Sequence, residues 1–197
     1  MNFLKRVIFN LMMFSCWMVA IVISFIDHLL SHKKAVTIED VDRALLKMQI
    51  GDFILTQTKG TPTSWVIPGR YKHLEIFGGG RFSVGAVSPV VRIARIENVL
   101  LKCDNFAIMR KIDCTEQQGK EMYDYACKKF LGKKYDMKMN LFDMSTIFCS
   151  ESGYHAINKV FGPETLVPYW RMGYPTFTPN DCRDAKKVFE LIYETKH

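Results

Sequence analysis

The feature that most constrains this chain is an uncharged run of 20 residues near its start, at positions 7–26. An α-helix of about 20 apolar residues is long enough to cross the hydrocarbon core of a bilayer. A secretory signal usually has a shorter apolar stretch and a small-x-small cleavage site, and residues 24–28 offer no such site. We therefore expect an uncleaved transmembrane helix, with a removed signal and a buried core helix as the alternatives.

The uncharged run divides the chain into two parts. Residues 1–34 hold the predicted membrane anchor and a polar hinge, and residues 35–197 form one domain. Basic residues stand on both sides of the run, so the positive-inside rule separates the two orientations only weakly. We expect a single-pass membrane protein. Because most of the mass follows the run and the N-terminus is short and basic, we expect the C-terminal domain to be exported to the cell envelope, with the orientation left open.

Composition limits the partners of the domain. The chain has 197 residues, a formal net charge of +7 and a pI of about 9.1. A basic surface favours anionic surroundings such as lipid head groups, acidic glycans or nucleic acid. No Arg-rich or aromatic-interleaved tract supports nucleic acid, so we expect the membrane and a peptide or lipid substrate as partners. The oligomeric state is left open.

The six cysteines do not form a metal-binding pattern. No C-x-x-C pair and no H-E-x-x-H sequence is present, so we expect neither a metal nor another cofactor. Cys16 lies in the predicted anchor, and Cys149 is considered below. The spacing of the remaining four leaves their disulfide state open: Cys103, Cys114, Cys127 and Cys182.

Local signals predict helices and strands that are segregated along the domain. Capping-box sequences begin helices at residues 37–40 and 115–118, and a third helix starts near Cys149. Strand-like segments lie at 53–56, 74–77, 82–87, 90–96 and 106–112. Residues 59–70 are predicted to be an irregular loop, and residues 181–193 a final helix. Segregated elements indicate an α+β fold, in which an antiparallel sheet packs on helices.

Two residues distant in the sequence have the chemistry of a thiol hydrolase. An apolar run at residues 146–148 delivers Cys149 to a helix start, where the positive end of the helix dipole favours the thiolate. His73 lies in a short strand-like segment that ends at the glycines 78–80. A thiol nucleophile and an imidazole base are the groups that covalent thiol catalysis needs. The alternative is that Cys149 is a small buried apolar residue, as most lone cysteines are.

Five short sequences follow one another in the domain: GDFILT at 51–56, KHLEI at 72–76, LGKKYD at 131–136, FCSE at 148–151 and TPND at 178–181. In this order they resemble the permuted NlpC/P60 superfamily, and within it the branch called YiiX/YebB-like. The resemblance covers residues 50–185. It implies a papain-like fold whose circular permutation places the His strand before the Cys helix.

The resemblance implies roles for the candidate residues. Cys149 would be the nucleophile, and His73 would be the base that takes its proton and later supplies one to the leaving group. Backbone N–H groups around Cys149 and Ser150 could hold the oxyanion of a tetrahedral intermediate. The candidate substrate-binding residues are Trp65, Tyr135 and Ser150.

The third catalytic residue is the point at which the sequence departs from the superfamily pattern. Such enzymes usually place a polar residue on the strand after the His strand to orient the imidazole, and the matching position here is Gly85. Ser83 on the same strand is polar but a weak orienter. Glu75 lies two residues after His73, on the same face of a strand, and is the candidate orienter. A salt bridge from Glu75 to a nearby lysine is the alternative.

Together these patterns predict a membrane-anchored cysteine hydrolase. It would cleave an amide or ester bond, in a cell-wall peptide or a lipid acyl group, through an acyl-enzyme at Cys149. The rival hypothesis is a non-catalytic, membrane-tethered binding or structural module that keeps the fold. The missing polar side chain at Gly85 is the main support for that rival.

Overall fold

The computed structural model describes residues 35–59, 67–137, 139–141, 143–171 and 173–195. The predicted anchor at residues 7–26 and the candidate residue Trp65 lie outside these ranges. Among the described residues, no helix combines the length and the apolar character that crossing a bilayer requires.

An antiparallel sheet of six strands forms the centre of the domain. The described strands are β1 (Phe53–Gln57), β2 (His73–Phe77), β3 (Phe82–Val87), β4 (Val90–Arg95), β5 (Asn105–Lys111), β6 (Tyr169–Arg171), β7 (Tyr174–Thr176) and β8 (Phe189–Glu194). The sheet order is β4-β3-β2-β1-β5-β8, and β6 and β7 form a separate hairpin. The described helices are α1 (Ile38–Leu45), α2 (Ile96–Leu100), α3 (Glu116–Phe130), α4 (Cys149–Phe161) and α5 (Pro179–Asp184). The predicted α+β class with an antiparallel sheet is confirmed.

Helices cover both faces of the sheet. Phe53 and Leu55 on β1 lie in an apolar cluster that includes residues of α3 and α4. Ile54, between them, lies in a second cluster that includes residues of α1 and α2. A strand that is buried on both faces consists of consecutive apolar residues, which explains why β1 does not alternate between apolar and polar side chains.

Helix α4 packs closely on β2 and thereby brings its first residue, Cys149, to the start of that strand. Gly153 permits the close approach, because a Cβ there would lie 2.9 Å from the side chain of Leu74 and 3.2 Å from that of Phe53. Gly153 is one helical turn after Cys149 and so lies on the same side of α4. The contact at Gly153 therefore sets the distance between Cys149 and the sheet.

The predicted helix over residues 181–193 is wrong. Helix α5 ends at Asp184, and the chain then forms β8, which pairs with β5 at the edge of the sheet. The Lys-, Glu- and Leu-containing sequence there has good intrinsic helix propensity. Pairing with β5 supplies partners for the backbone N–H and C=O groups of both strands and buries Phe189, so tertiary structure overrides the local preference.

The short helix α2 was also not predicted. The strand expected at residues 90–96 ends at Arg95, and α2 begins at Ile96, whose side chain is fully buried. Helix α2 has only five residues, too few to show helical periodicity in the sequence.

Helix α3 makes a backbone contact that leaves no room for a methyl group. A Cβ on Gly119 would lie 1.9 Å from the carbonyl oxygen of Ile50.

We expect Gly119→Ala to lower the free energy of unfolding by more than about 2 kcal/mol, because the new methyl group would overlap that oxygen. The loss should outweigh the higher helix propensity of alanine, which is about 1 kcal/mol. Urea unfolding followed by circular dichroism measures the change. Lys120→Ala on the exposed side of the helix is the control, expected within about 0.5 kcal/mol of wild type; a more stable Gly119→Ala would contradict the contact.

Candidate active site

Cys149 is the first residue of α4 and is buried, with 2% of its surface exposed. The backbone N–H groups of Leu74 and Ser150 lie near its sulfur and lower the pKa of Cys149. The same sulfur lies 3.9 Å from the carbonyl oxygen of Lys72. A thiolate at this position is favoured by the two N–H donors and by the positive end of the helix dipole.

His73 is the first residue of β2 and contacts Cys149 from the sheet. Its Nε2 lies 2.9 Å from Glu75 Oε1. Because Nε2 is engaged by the carboxylate, Nδ1 is the nitrogen left for the hydrogen bond to Cys149. The close packing of α4 on β2 thus brings together the two residues that the sequence analysis selected.

Glu75 contacts the imidazole from the same strand and is 2% exposed. Its Oε1 bonds His73, and its Oε2 accepts a hydrogen bond of 2.5 Å from Ser83 Oγ. Ser83, which the sequence analysis considered as an orienter of the imidazole, therefore bonds the carboxylate instead. Among the described residues, the ion pair of Glu75 is with His73 and not with a lysine.

The missing side chain at Gly85 makes room for Glu75. Strands β2 and β3 pair Ile76 with Val84, and the same register places Gly85 opposite Glu75. A Cβ on Gly85 would lie 2.4 Å from Cγ and 2.7 Å from Cδ of Glu75. The position at which the resemblance implies a polar residue is therefore filled by a carboxylate from the neighbouring strand.

The electrostatics of the three groups favour an ion pair. Burial disfavours the imidazolium, but the hydrogen bonds and charges of Cys149 and Glu75 raise the pKa of His73 to about 10. Burial also opposes the thiolate, yet the hydrogen bond and charge of His73 lower the pKa of Cys149. Between these two pKa values the pair consists of a thiolate and an imidazolium.

The hydroxyl of Tyr135 lies beside the candidate nucleophile. It is within hydrogen-bonding reach of both the thiol and the backbone N–H of Cys149. A parallel β-bridge between Tyr135 and Ile147 places it there, just before the start of α4. Burial and the negative charge at Cys149 raise the pKa of Tyr135, so the hydroxyl stays protonated and can donate a hydrogen bond.

Ser150 was predicted to contribute a backbone N–H to an oxyanion site and to bind substrate, and its backbone and side chain have different environments. Its backbone N–H points to the sulfur of Cys149. Its side chain is buried, and Oγ donates to the carbonyl oxygen of Phe177 at 2.5 Å. The side chain of Ser150 is therefore committed to the core and does not line the cavity described next.

A cavity of about 380 Å³ opens beside the imidazole. Its walls include three of the residues described above: His73, Glu75 and Tyr135. They also include three basic residues that the sequence analysis did not select: Lys72, Arg92 and Lys102. Arg92 lies in the segment predicted to be a strand at residues 90–96, and nothing in the sequence near Arg92 or Lys102 indicates a site.

Because the side chain of Glu75 fills the space above Gly85, we expect Gly85→Ala to displace the carboxylate from His73. Loss of that contact should lower the pKa of His73 and, through the weaker imidazolium, raise the pKa of Cys149. The pH dependence of iodoacetamide labelling at Cys149 measures the shift, and Glu75→Gln should move it in the same direction. Glu190→Gln, exposed on β8, is the control. An unchanged labelling curve in Gly85→Ala would contradict the steric argument.

Comparison with known proteins identifies one similar fold and no family. No family model matches the chain, and no curated protein matches it. The chain is similar to the crystal structure of the metalloprotein YiiX from Escherichia coli O157:H7 (DUF1105), at 14% sequence identity. The match has a TM-score of 0.65 and covers 77% of this chain and 99% of YiiX.

The metal implied by the name of YiiX does not fit the groups at this site. Among the described residues, no three His, Cys, Asp or Glu side chains come together as ligands. Cys149 Sγ and His73 Nδ1 would be two donors, while Glu75 bonds the other imidazole nitrogen. A catalytic zinc site, for comparison, takes three protein ligands and a structural one takes four.

At 14% sequence identity the comparison with YiiX shows a shared fold and nothing about activity. YiiX is a protein of the branch that the sequence resembles, which agrees with that part of the prediction. Membership of the NlpC/P60 superfamily and the circular permutation stay predictions. The domain of this chain shares the α+β fold of YiiX.

Proposed function

We propose that this chain is a cysteine hydrolase in which Cys149 forms an acyl-enzyme with its substrate. The arrangement of Cys149, His73 and Glu75 is the observation that carries the proposal: the imidazole acts on the sulfur at the helix start, and its Nε2 lies 2.9 Å from the carboxylate. A nucleophile bonded to a base, with a third group on the far side of that base, is the arrangement of an activated nucleophile. The fold shared with YiiX is compatible with a hydrolase.

In the first half of the proposed reaction, the thiolate of Cys149 attacks the carbonyl carbon of the substrate. A C–S bond forms, and the carbonyl oxygen becomes an oxyanion. The Tyr135 hydroxyl and the Cys149 backbone N–H are the donors beside the sulfur that would bind this oxyanion. The imidazolium of His73 then gives its proton to the leaving amine or alcohol as the C–N or C–O bond breaks.

In the second half, water replaces the sulfur. Neutral His73 takes a proton from the attacking water, which adds to the thioester carbonyl, and the C–S bond then breaks. The products are a free acid and a thiolate paired again with imidazolium. Glu75 acts through His73 as a positioning residue, because its bond to Nε2 fixes the ring and keeps Nδ1 directed at the sulfur.

The proposed substrate carries an amide or ester bond, in a cell-wall peptide or a lipid acyl group. Attachment through residues 7–26 would hold the domain close to either. An exported domain would meet cell-wall peptide, while the net charge of +7 suits anionic lipid. With a lipid, the thioester could also pass its acyl group to an acceptor other than water.

A non-catalytic binding or structural module is the second candidate function. The burial of Cys149 supports it, since a residue that is 2% exposed offers little surface to a substrate. The other support, the missing side chain at Gly85, is weakened because Glu75 fills that space. The two candidates differ in whether the thiol is activated.

The first test is the pH dependence of iodoacetamide labelling at Cys149, with the labelled peptide identified by mass spectrometry. The lowered pKa predicts labelling that stays fast well below a pH of about 8.5, the ordinary pKa of cysteine. His73→Ala removes the imidazolium, so the apparent pKa should rise to about 8.5 or above. A wild-type value near 8.5 that does not respond to His73→Ala would reject the hydrolase in favour of the binding module.

The second test is turnover of a simple ester. With p-nitrophenyl acetate we expect a burst of nitrophenolate close to one equivalent per chain, because the acyl-enzyme forms faster than it is hydrolysed. Cys149→Ala should abolish the burst, and Cys114→Ala, a half-buried thiol away from the site, should keep it. A burst of the same size in Cys149→Ala would exclude Cys149 as the acylated residue.

A further inference from the structure

The cavity beside His73 carries more positive charge than the proposed reaction uses. Three bases line it, and they come from separate segments: Lys72 before β2, Arg92 on β4 and Lys102 after α2. Among the described residues of the lining, Glu75 is the single acid. Bases that converge on one cavity from distant parts of the chain form a local positive field.

Glu75 only partly offsets these bases. Oε1 bonds His73 at 2.9 Å, and Oε2 accepts from Ser83 at 2.5 Å. The thiolate of Cys149, the imidazolium of His73 and the carboxylate of Glu75 together carry one net negative charge. Two lysines and one arginine exceed that charge, so the cavity keeps an excess of positive charge.

The bases of the cavity also differ from arginines elsewhere in the domain. Arg110 pairs with Asp52 at 2.8 Å, and Arg171 pairs with Asp181 at 2.6 Å. In the part of the chain that the structure describes, no carboxylate lies within salt-bridge distance of the three cavity bases. Lys72 Nζ donates to the backbone carbonyl oxygen of Ile67, and Arg92 acts on Glu75 through its charge without forming a salt bridge.

The sheet holds Arg92 next to the carboxylate of Glu75. It is the cross-strand partner of Gly85, the residue over which Glu75 lies. Burial raises the pKa of Glu75, but the His73 and Ser83 hydrogen bonds and the charge of Arg92 lower it. The guanidinium is therefore close enough to Glu75 to act on a group bound there.

The rest of the lining mixes polar and apolar side chains. Hydroxyl and amide groups are contributed by Thr56, Thr58, Ser88 and Asn98, and apolar surface by Ala86, Val87, Val99 and Met137. A pocket of this kind holds the apolar part of a ligand on its walls and orients it by a few polar groups. Arginine and lysine together are the usual partners of carboxylates and phosphates.

We infer that Lys72, Arg92 and Lys102 form a subsite for an anionic group, a carboxylate or a phosphate, on a substrate of Cys149. This inference rests on the proposed function and names the substrate class: an acidic amide or ester whose negative charge lies close to the bond that is cleaved. The anion would bind beside His73, the residue that contacts Cys149.

Two alkylating agents that differ in charge test the subsite without a known substrate. Iodoacetate is an anion and iodoacetamide is neutral, and both alkylate the same sulfur. The rate ratio of iodoacetate to iodoacetamide is measured at Cys149 in the purified full-length chain and divided by the ratio for N-acetylcysteine. We expect a normalised ratio of about ten or more at low salt. It should fall toward one in about 1 M NaCl, where charges are screened within about 3 Å.

Variants that remove one positive charge test which basic residues raise the normalised ratio. Arg92→Gln and Lys102→Gln should each lower the normalised ratio several-fold. Arg95→Gln is the matched control, because Arg95 lies on the same strand as Arg92 but does not line the cavity. A ratio that drops equally in Arg95→Gln would show a general effect of net charge and overturn the subsite.

Competition identifies the anion. Protection of Cys149 from iodoacetamide by succinate and not by inorganic phosphate assigns a carboxylate, and the reverse assigns a phosphate. Protection by neither, or a normalised ratio near one at low salt, overturns the inference. The proposed hydrolase survives that result if the pKa of Cys149 still depends on His73. If that dependence is absent, the proposed function and the subsite fail together.

Discussion

The close contact between α4 and β2 at Gly153 is the constraint on which the site depends. A side chain there would strike Leu74 and Phe53 and push the helix away from the sheet. Cys149 lies one turn earlier on the same helix, so its distance from His73 follows from this contact. In this packing the start of the helix, two backbone N–H groups and the imidazole all act on one sulfur.

Two buried glutamates lie near the candidate nucleophile, and their environments differ. Hydrogen bonds and the charge of His73 overcome burial and lower the pKa of Glu75. Burial dominates at Glu151 and raises its pKa, although the backbone N–H of Phe148 donates to it. A charged Glu151 would repel the thiolate in the first turn of α4, whereas a charged Glu75 supports the imidazolium. Active sites commonly separate the roles of two carboxyl groups in this way.

The parts of the site that could be predicted are those with local signals. A cysteine at a helix start and a histidine in a short strand are visible in the sequence, and the structure brings Cys149 and His73 together. The role of Glu75 as the partner of His73 was harder to predict, because its side chain fills the space over Gly85 on the neighbouring strand. Arg92 and Lys102 were missed because only tertiary structure makes them walls of one cavity. Strand β8 was missed because edge pairing outweighed helix propensity.

The candidate base, His73, and the carboxylate that contacts it, Glu75, lie on one five-residue strand, as the first and third residues of β2. A search template that demands a polar residue on the next strand would count this chain as inactive, because that aligned column holds Gly85. A template that accepts a small residue there, together with an acid two positions after the histidine, would include it. In this chain the sheet lets a carboxylate from one strand fill the space that a glycine leaves on the next strand, so the residue type at position 85 does not by itself tell whether the imidazole has a carboxylate partner.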